Sequence, residues 1–226
     1  MVGFQILTRR RKMASDLVEK FREIPVANVS DVMNRIVAGG PRLRPYHGGG
    51  TLCGIALTVR TRPGDNLMAH AAITMAEPGD VIVLDGGGDL TNSLIGERMM
   101  HHSRKRGVEG WVVNGSIRDL GWLRETNFPV YAAGVTHRGP YKSGPGEINV
   151  RVAIEGLVIE PGDLILGDAD GLVSVPVDGA EEIFAKAQEK FQFETETFAA
   201  LGTTDQAADR EKMFASLRSM GCFIEG

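Results

Sequence analysis

At 226 residues, with 42% hydrophobic and 24% charged residues, the chain can bury a core as one large domain or two small ones. A formal net charge of −4 argues against general attraction to nucleic acid or to an anionic membrane surface. Two cysteines, Cys53 and Cys222, suggest neither a disulfide framework nor a zinc site, and no apolar run approaches the roughly 20 residues that span a bilayer.

The N-terminal "MVGFQIL" precedes the basic cluster Arg9, Arg10, Arg11 and Lys12, the wrong order for a signal peptide. The cluster reads as a solvated tail, and the protein as cytoplasmic. "NVSDVMNRIVAGG" reads as a helix with Ser30 as its N-cap, apolar Val29, Val32, Met33, Ile36 and Val37, and a Gly39–Gly40 stop. "GIALTVRT" alternates like a half-buried strand, "NLMAHAAITMAEPGD" reads as a helix closed by Pro78-Gly79, and "VIVLD" (81–85) as a short apolar strand. After a glycine run come a helix, "ERMMHHSRKRG", a second apolar strand, "GWVVNG", a helix, "RDLGWLRETN", and "FPVYAAG". Short apolar strands alternating with helices predict parallel βαβ units. From 147 to 176 the character changes, with β-rich runs separated by Glu-Gly, Pro-Gly-Asp and Asp-Gly turns, as in antiparallel hairpins. From 178 onward two amphipathic helices are expected, with Ile183, Phe184, Ala187, Phe191 and Phe198 close to one face.

The glycines of "DGGGDLTNSLIGE" follow a strand but miss the dinucleotide fingerprint, because Thr91 stands where the third glycine belongs. Gly96 instead opens a helix whose first N–H groups, at residues 96–99, lack intrahelical partners and suit a small carboxylate or phosphate; water or a local cap is the ordinary alternative. The "SIRD" segment then brings Arg118 and Asp119 to the end of the next strand. In a right-handed βαβ crossover both loops leave the carboxyl edge of the sheet, where α/β sheets bind ligands. An arginine suits bidentate contact with a ketoacid, and the oxygens of Asp119 and Glu97 suit Mg²⁺ or Mn²⁺; a plain surface ion pair at a helix start competes with that reading. His101 follows Glu97 by four residues and could share its face, although solvated or packed histidines are commoner. No G-x-S-x-G elbow is present, Cys53 has no recognisable partner, and Trp111 and Trp122 read as core or interface residues.

Taken in order, "VSDVMNRI", "HAAITMAEPGDVIVLDGGGDL", "LIGERM", "GVEGWVVNGSIRD", "FPVYAAGVTHRGPYKSGPGEINV" and "PGDLILGDADGLVSVP" resemble the RraA-like proteins, over roughly residues 24–177. That family includes the 4-hydroxy-4-methyl-2-oxoglutarate/4-carboxy-4-hydroxy-2-oxoadipate aldolases. Its central signature, an acidic residue, twenty residues, then Arg-Asp, falls here on Glu97, residues 98–117, Arg118 and Asp119. The resemblance implies an α/β fold, a three-layer ββα swivelling-type domain over residues 1–177, with residues 178–226 as a helical extension on the same or a neighbouring subunit. It implies a homotrimer or a hexamer of two trimers, and a class II pyruvate aldolase that needs a divalent metal cation, Mg²⁺ or Mn²⁺. The substrate, a small oxoacid, would be held by the backbone amides of Gly96, Glu97, Arg98 and Met99 and by Arg118; Asp119 would bind the metal directly and Glu97 through water.

The residues fit that chemistry. A retro-aldol cleavage leaves a pyruvate enolate, which a metal and a preorganised arginine stabilise. No lysine lies in the two loops for a Schiff base. Oxaloacetate decarboxylation passes through the same enolate and is expected as a second activity. The competing expectation is a non-catalytic regulator of RNase E, for which the metal-binding aspartate is commonly missing. A demethylmenaquinone methyltransferase finds no glycine-rich cofactor loop here.

Overall fold

The computed structural model describes residues 3–36, 39–200 and 206–225. In chain order the elements are β1 (Gln5–Ile6), α1 (Ser15–Phe21), α2 (Val26–Val32), β2 (Arg44–Pro45), β3 (Leu52–Thr61), α3 (Leu67–Met75), β4 (Asp80–Asp85), β5 (Ser93–Ile95), α4 (Glu97–Lys105), β6 (Gly110–Ile117), α5 (Leu120–Thr126), β7 (Val130–Val135), β8 (Gly146–Ile148), β9 (Val152–Ile154), β10 (Leu157–Ile159), β11 (Leu164–Gly167), β12 (Leu172–Val175), α6 (Ala180–Ala200) and α7 (Gln206–Ser219). The main sheet runs β1-β8-β3-β4-β6-β7-β2, with β11 and β12 added beside β3, and β5 beside β6. Its centre is parallel: β3 with β4, β4 with β6, and β6 with β7.

The period-two pattern of β4 shows why the domain is layered. Ile82 and Leu84 join a cluster with Ala69 and Ala72 of α3, Met100 of α4 and Leu123 of α5. Val81 and Val83 point the other way, into a cluster with Val152, Ile154, Leu157 and Ile159 of the β9–β10 hairpin. Both faces of the central strands are therefore dry, as a parallel sheet requires, and the layers read β, β, α. Trp111 is fully buried, and its indole N–H donates to the Ser103 hydroxyl at 3.0 Å. The hairpins expected after residue 147 are present as β9–β10 and the antiparallel β11–β12.

Three local expectations are corrected. Helix α2 begins at Val26, and Ser30 lies inside it. Its first amide, Val26 N–H, donates to Asp168 Oδ2 at 3.0 Å, so a carboxylate 142 residues away supplies the cap that Ser30 was expected to give. Met33 is the C-cap, Asn34 and Arg35 adopt positive φ, and Val37 of the predicted helix lies outside the described residues. The basic N-terminal cluster is no solvated tail. β1 pairs in parallel with β8, Arg9 meets buried Asp80 at 2.5 Å, Lys12 meets Glu77 at 3.0 Å, and Arg11 pairs with Asp178. Asp80 is almost completely buried, so it needs a counter-charge that its own strand does not provide. Finally, the strand expected over "GWVVNG" does not stop at Gly115: β6 continues to Ile117, extended by pairing with β5 and β7 across a register shift.

The chain divides into two compact units, Met1–Gln188 and Glu189–Gly226. In the first, Ala187 is buried and Phe184 meets Phe21 edge-on at 5.2 Å. In the second, Phe198 is exposed. No helix among the described residues is long and apolar enough to cross a membrane.

Candidate functional site

The extra strand β5 runs parallel to β6, so both deliver their carboxyl ends to the same edge of the sheet. Gly96 follows β5 and Arg118-Asp119 follow β6, which places the two sequence-distant loops against each other. The Arg118 amide donates to the Ile95 carbonyl at 3.1 Å. Asp119 sits at φ 65°, ψ 45°, a left-handed conformation that aspartate tolerates better than most side chains. That twist aims its carboxylate back across the gap, where Oδ2 accepts the Glu97 amide at 2.9 Å. The N-terminus of α4 is thus capped from another loop, and the positive end of its dipole faces a carboxylate.

Gly96 explains itself by proximity. A Cβ there would lie 2.5 Å from Asp119 Oδ2 and 3.0 Å from Arg118 Cγ and Nε, so any larger residue would push the two loops apart. Arg118 Nε stands 3.7 Å from Asp119 Oδ2, and both side chains stay about two-fifths exposed, at 43% and 41%. Glu97 is half exposed and lies 3.5 Å from His101 Nε2, whose ring packs at a tilt against Trp122, 4.6 Å between centroids.

Three cavities meet at Asp119. One of about 140 Å³ is enclosed by Asn66, His70, Gly96, Arg98, Met99, Arg118 and Lys142. A second, about 480 Å³, opens along α4 between Glu97, Arg98, His101, His102 and Lys105. The third, about 290 Å³, is walled by Arg118, Leu120, Val135, Thr136 and His137. Grooves of about 480 and 880 Å³ border the N-terminal arm but share no residue with this edge. Cys53 is not a rival nucleophile: burial pushes its thiol up to about 12.

Of the four amides expected to hold a substrate, those of Glu97 and Met99 are already bonded, to Asp119 Oδ2 and to the Gly96 carbonyl. The amides of Gly96 and Arg98 have no partner among the described residues. For a metal the donor set is sparse: no three His, Cys, Asp or Glu side chains converge among the described residues. Asp119 nevertheless keeps Oδ1 without a hydrogen bond among them, and its partly exposed side chain lines the same cavity as Glu97. Two hard oxygen donors plus water suit Mg²⁺ or Mn²⁺, which retain several waters.

A family model described as RraA-like, Aldolase/RraA, matches residues 26–174, most of the chain and both loops of this site. The chain belongs to the RraA-like family. A relative from Halalkalibacterium halodurans, provisionally named a 4-hydroxy-4-methyl-2-oxoglutarate aldolase, is 37% identical over 175 residues, which cover 77% of this chain and 83% of that one. Among solved structures, an uncharacterized protein from Pseudomonas syringae pv. tomato superposes with a TM-score of 0.79 at 25% identity, covering 88% of this chain and 98% of that one. The RNA-processing inhibitor RraA from Thermus thermophilis superposes with a TM-score of 0.63 at 29% identity, covering 68% and 93%.

In this RraA-like chain, residue patterns did not single out Asn66, His70 or Lys142 as site residues, yet all three line the smallest cavity. Asn66 precedes α3 and reaches over instead of capping it: Nδ2 donates to the Leu94 carbonyl at 2.9 Å, while Oδ1 is buried without a partner. The Leu94 acceptor fixes which end of the amide is which. His70 lies one turn further, and its ring is held neutral to lower pH than usual by burial, then by Lys142, Arg98 and His102. Asn66 at a helix start carried a local signal, but His70 and Lys142 come from separate segments that only the fold brings together.

Proposed function

We propose that this RraA-like protein is a divalent-metal-dependent class II pyruvate aldolase. It cleaves a 4-hydroxy-4-methyl- or 4-carboxy-4-hydroxy-2-oxoacid into pyruvate and a second oxoacid, with oxaloacetate decarboxylation as a side activity. The observation that carries this reading is Asp119. It is held across two loops by one oxygen, leaves the other free, and stands beside Arg118 on a cavity sized for a three-carbon ketoacid.

The chain's own residues supply most of the apparatus. Arg118 faces the cavity with a planar fork that matches an α-ketoacid, and the Gly96 and Arg98 amides offer further donors. As the C3–C4 bond breaks, its electron pair moves onto C3; the 4-hydroxyl passes its proton to water, its oxygen becomes the carbonyl of the second oxoacid, and water later returns a proton to C3 to give pyruvate. The resulting pyruvate enolate lies against a guanidinium that is already in place. Asp119, with Glu97 through water, would hold a divalent cation, which supplies electrophilic stabilisation of the developing charge. Lys142 does not turn the site toward imine chemistry, since it is exposed and lacks the apolar burial that activates a Schiff-base amine. A homotrimer or a hexamer of trimers is part of the same proposal.

The similarity to an RNA-processing inhibitor favours a second reading, a non-catalytic binding protein. That role does not require the free Asp119 oxygen. The separating experiment measures pyruvate release from 4-hydroxy-4-methyl-2-oxoglutarate and from oxaloacetate, with Mg²⁺ and then with EDTA. Release that depends on Mg²⁺ and stops with Asp119→Ala is expected. Activity indifferent to both would leave the binding protein as the better reading.

A further inference from the structure

With the pyruvyl end assigned to the 140 Å³ cavity beside Arg118, the other half of such a substrate extends into an adjoining space. Two are available, and both touch Asp119. The 290 Å³ space presents Leu120, Val135 and Thr136, with His137 at its edge. The 480 Å³ space is lined by Arg98, His101, His102 and Lys105. Those four fall at positions i, i+3, i+4 and i+7 of α4 and so form one stripe of the helix.

All four side chains are exposed, and among the described residues none meets an acidic group except His101, which meets Glu97. In a chain with a net charge of −4, a basic stripe ending at the candidate carboxylates is a local reversal of field. It raises the local concentration of anions. The helix rises about 1.5 Å per residue, so Lys105 is rooted roughly 12 Å beyond Glu97, and its long stem leans back toward the N-terminus.

We infer that the stripe Arg98–His101/His102–Lys105 and its cavity bind the carboxylate-bearing half of the substrate that departs as the second oxoacid, with Lys105 as a specificity-determining residue. The inference rests on the aldolase reading and adds to it the side on which the leaving fragment lies.

The test compares two substrates that share the pyruvyl end: 4-carboxy-4-hydroxy-2-oxoadipate, with two carboxylates in its distal half, and 4-hydroxy-2-oxopentanoate, with none. Lys105→Gln is expected to lower kcat/KM for the first by about tenfold, mainly through KM, and for the second by less than about twofold. Lys105→Glu deepens the loss, added salt narrows the gap between wild type and variant, and inhibition by pyruvate is unchanged. Should one charge be compensated by its neighbours, the Lys105→Gln/His102→Gln pair restores the contrast. If the pair affects both substrates equally, or neither, the subsite is wrong and the aldolase reading stands. If the wild type releases pyruvate from neither substrate, both fall.

Discussion

Two aspartates serve the 140 Å³ cavity in opposite ways: Asp119 lines it, and Asp65 lies behind its wall. Asp65 is fully buried and its oxygens are committed: Oδ1 accepts the Leu67 amide at 2.9 Å, and Oδ2 accepts the amides of Ser143 and Gly144 at 2.7 and 2.9 Å, with Arg62 at 3.3 Å. It ties the start of α3 to the 141–144 loop, and so sets Asn66 and Lys142 on the cavity wall. Asp119 has one oxygen committed, to the Glu97 amide, and one open. A carboxylate whose lone pairs are all satisfied by amides is part of the frame; one left partly unsatisfied and exposed at a cavity can meet a ligand.

Exchange at each aspartate should separate the two roles. Asp119→Asn is expected to lower turnover about a thousandfold while the protein stays folded, losing only about 1 kcal/mol from the weakened cap of α4. Steady-state pyruvate release and urea unfolding on the same preparation check both halves. Asp65→Ala should show the reverse pattern. Three amides, that of Gly144 buried and those of Leu67 and Ser143 partly so, lose their acceptor, stability falls by about 3 kcal/mol, and activity per folded molecule falls far less than in Asp119→Asn. A stable but inactive Asp65→Ala protein would break the distinction. Arg118→Lys keeps the charge but loses the fork, and about a hundredfold in kcat/KM is expected, with weaker pyruvate inhibition.

The smallest expected effect concerns the frame alone. His47 is buried, and that burial outweighs its backbone hydrogen bonds with Val130 and Gly50 and lowers its pKa. Its contribution is full above the unfolded-state value near 6.5 and is lost as pH falls through the depressed folded value. The wild type should therefore lose more stability between pH 7 and pH 5 than His47→Asn does, as read by urea midpoints. Equal losses would remove His47 from the pH response.

The strands and helices were legible in the sequence because their signals are local. Val81, Ile82, Val83 and Leu84 announce a strand buried on both faces, and Gly107 closes a basic-ended helix. The Glu97, Arg118 and Asp119 constellation was also legible, since a βαβ crossover has a fixed hand and therefore a known ligand-binding edge. What local pattern could not carry was every interaction made across the fold. Asp168 caps α2 in place of Ser30, Asp80 draws Arg9 out of solvent, and Asp119 turns left-handed to cap α4. The sequence by itself determined which chemistry could be assembled at the sheet's carboxyl edge. Only the tertiary structure decided that one oxygen of Asp119 is committed to the fold, and that His70 and Lys142 line one cavity beside it while the α4 stripe lines another. Hydrogen bonds and charges join whatever the backbone brings within about 3–4 Å, and that proximity is written in no stretch of neighbouring residues.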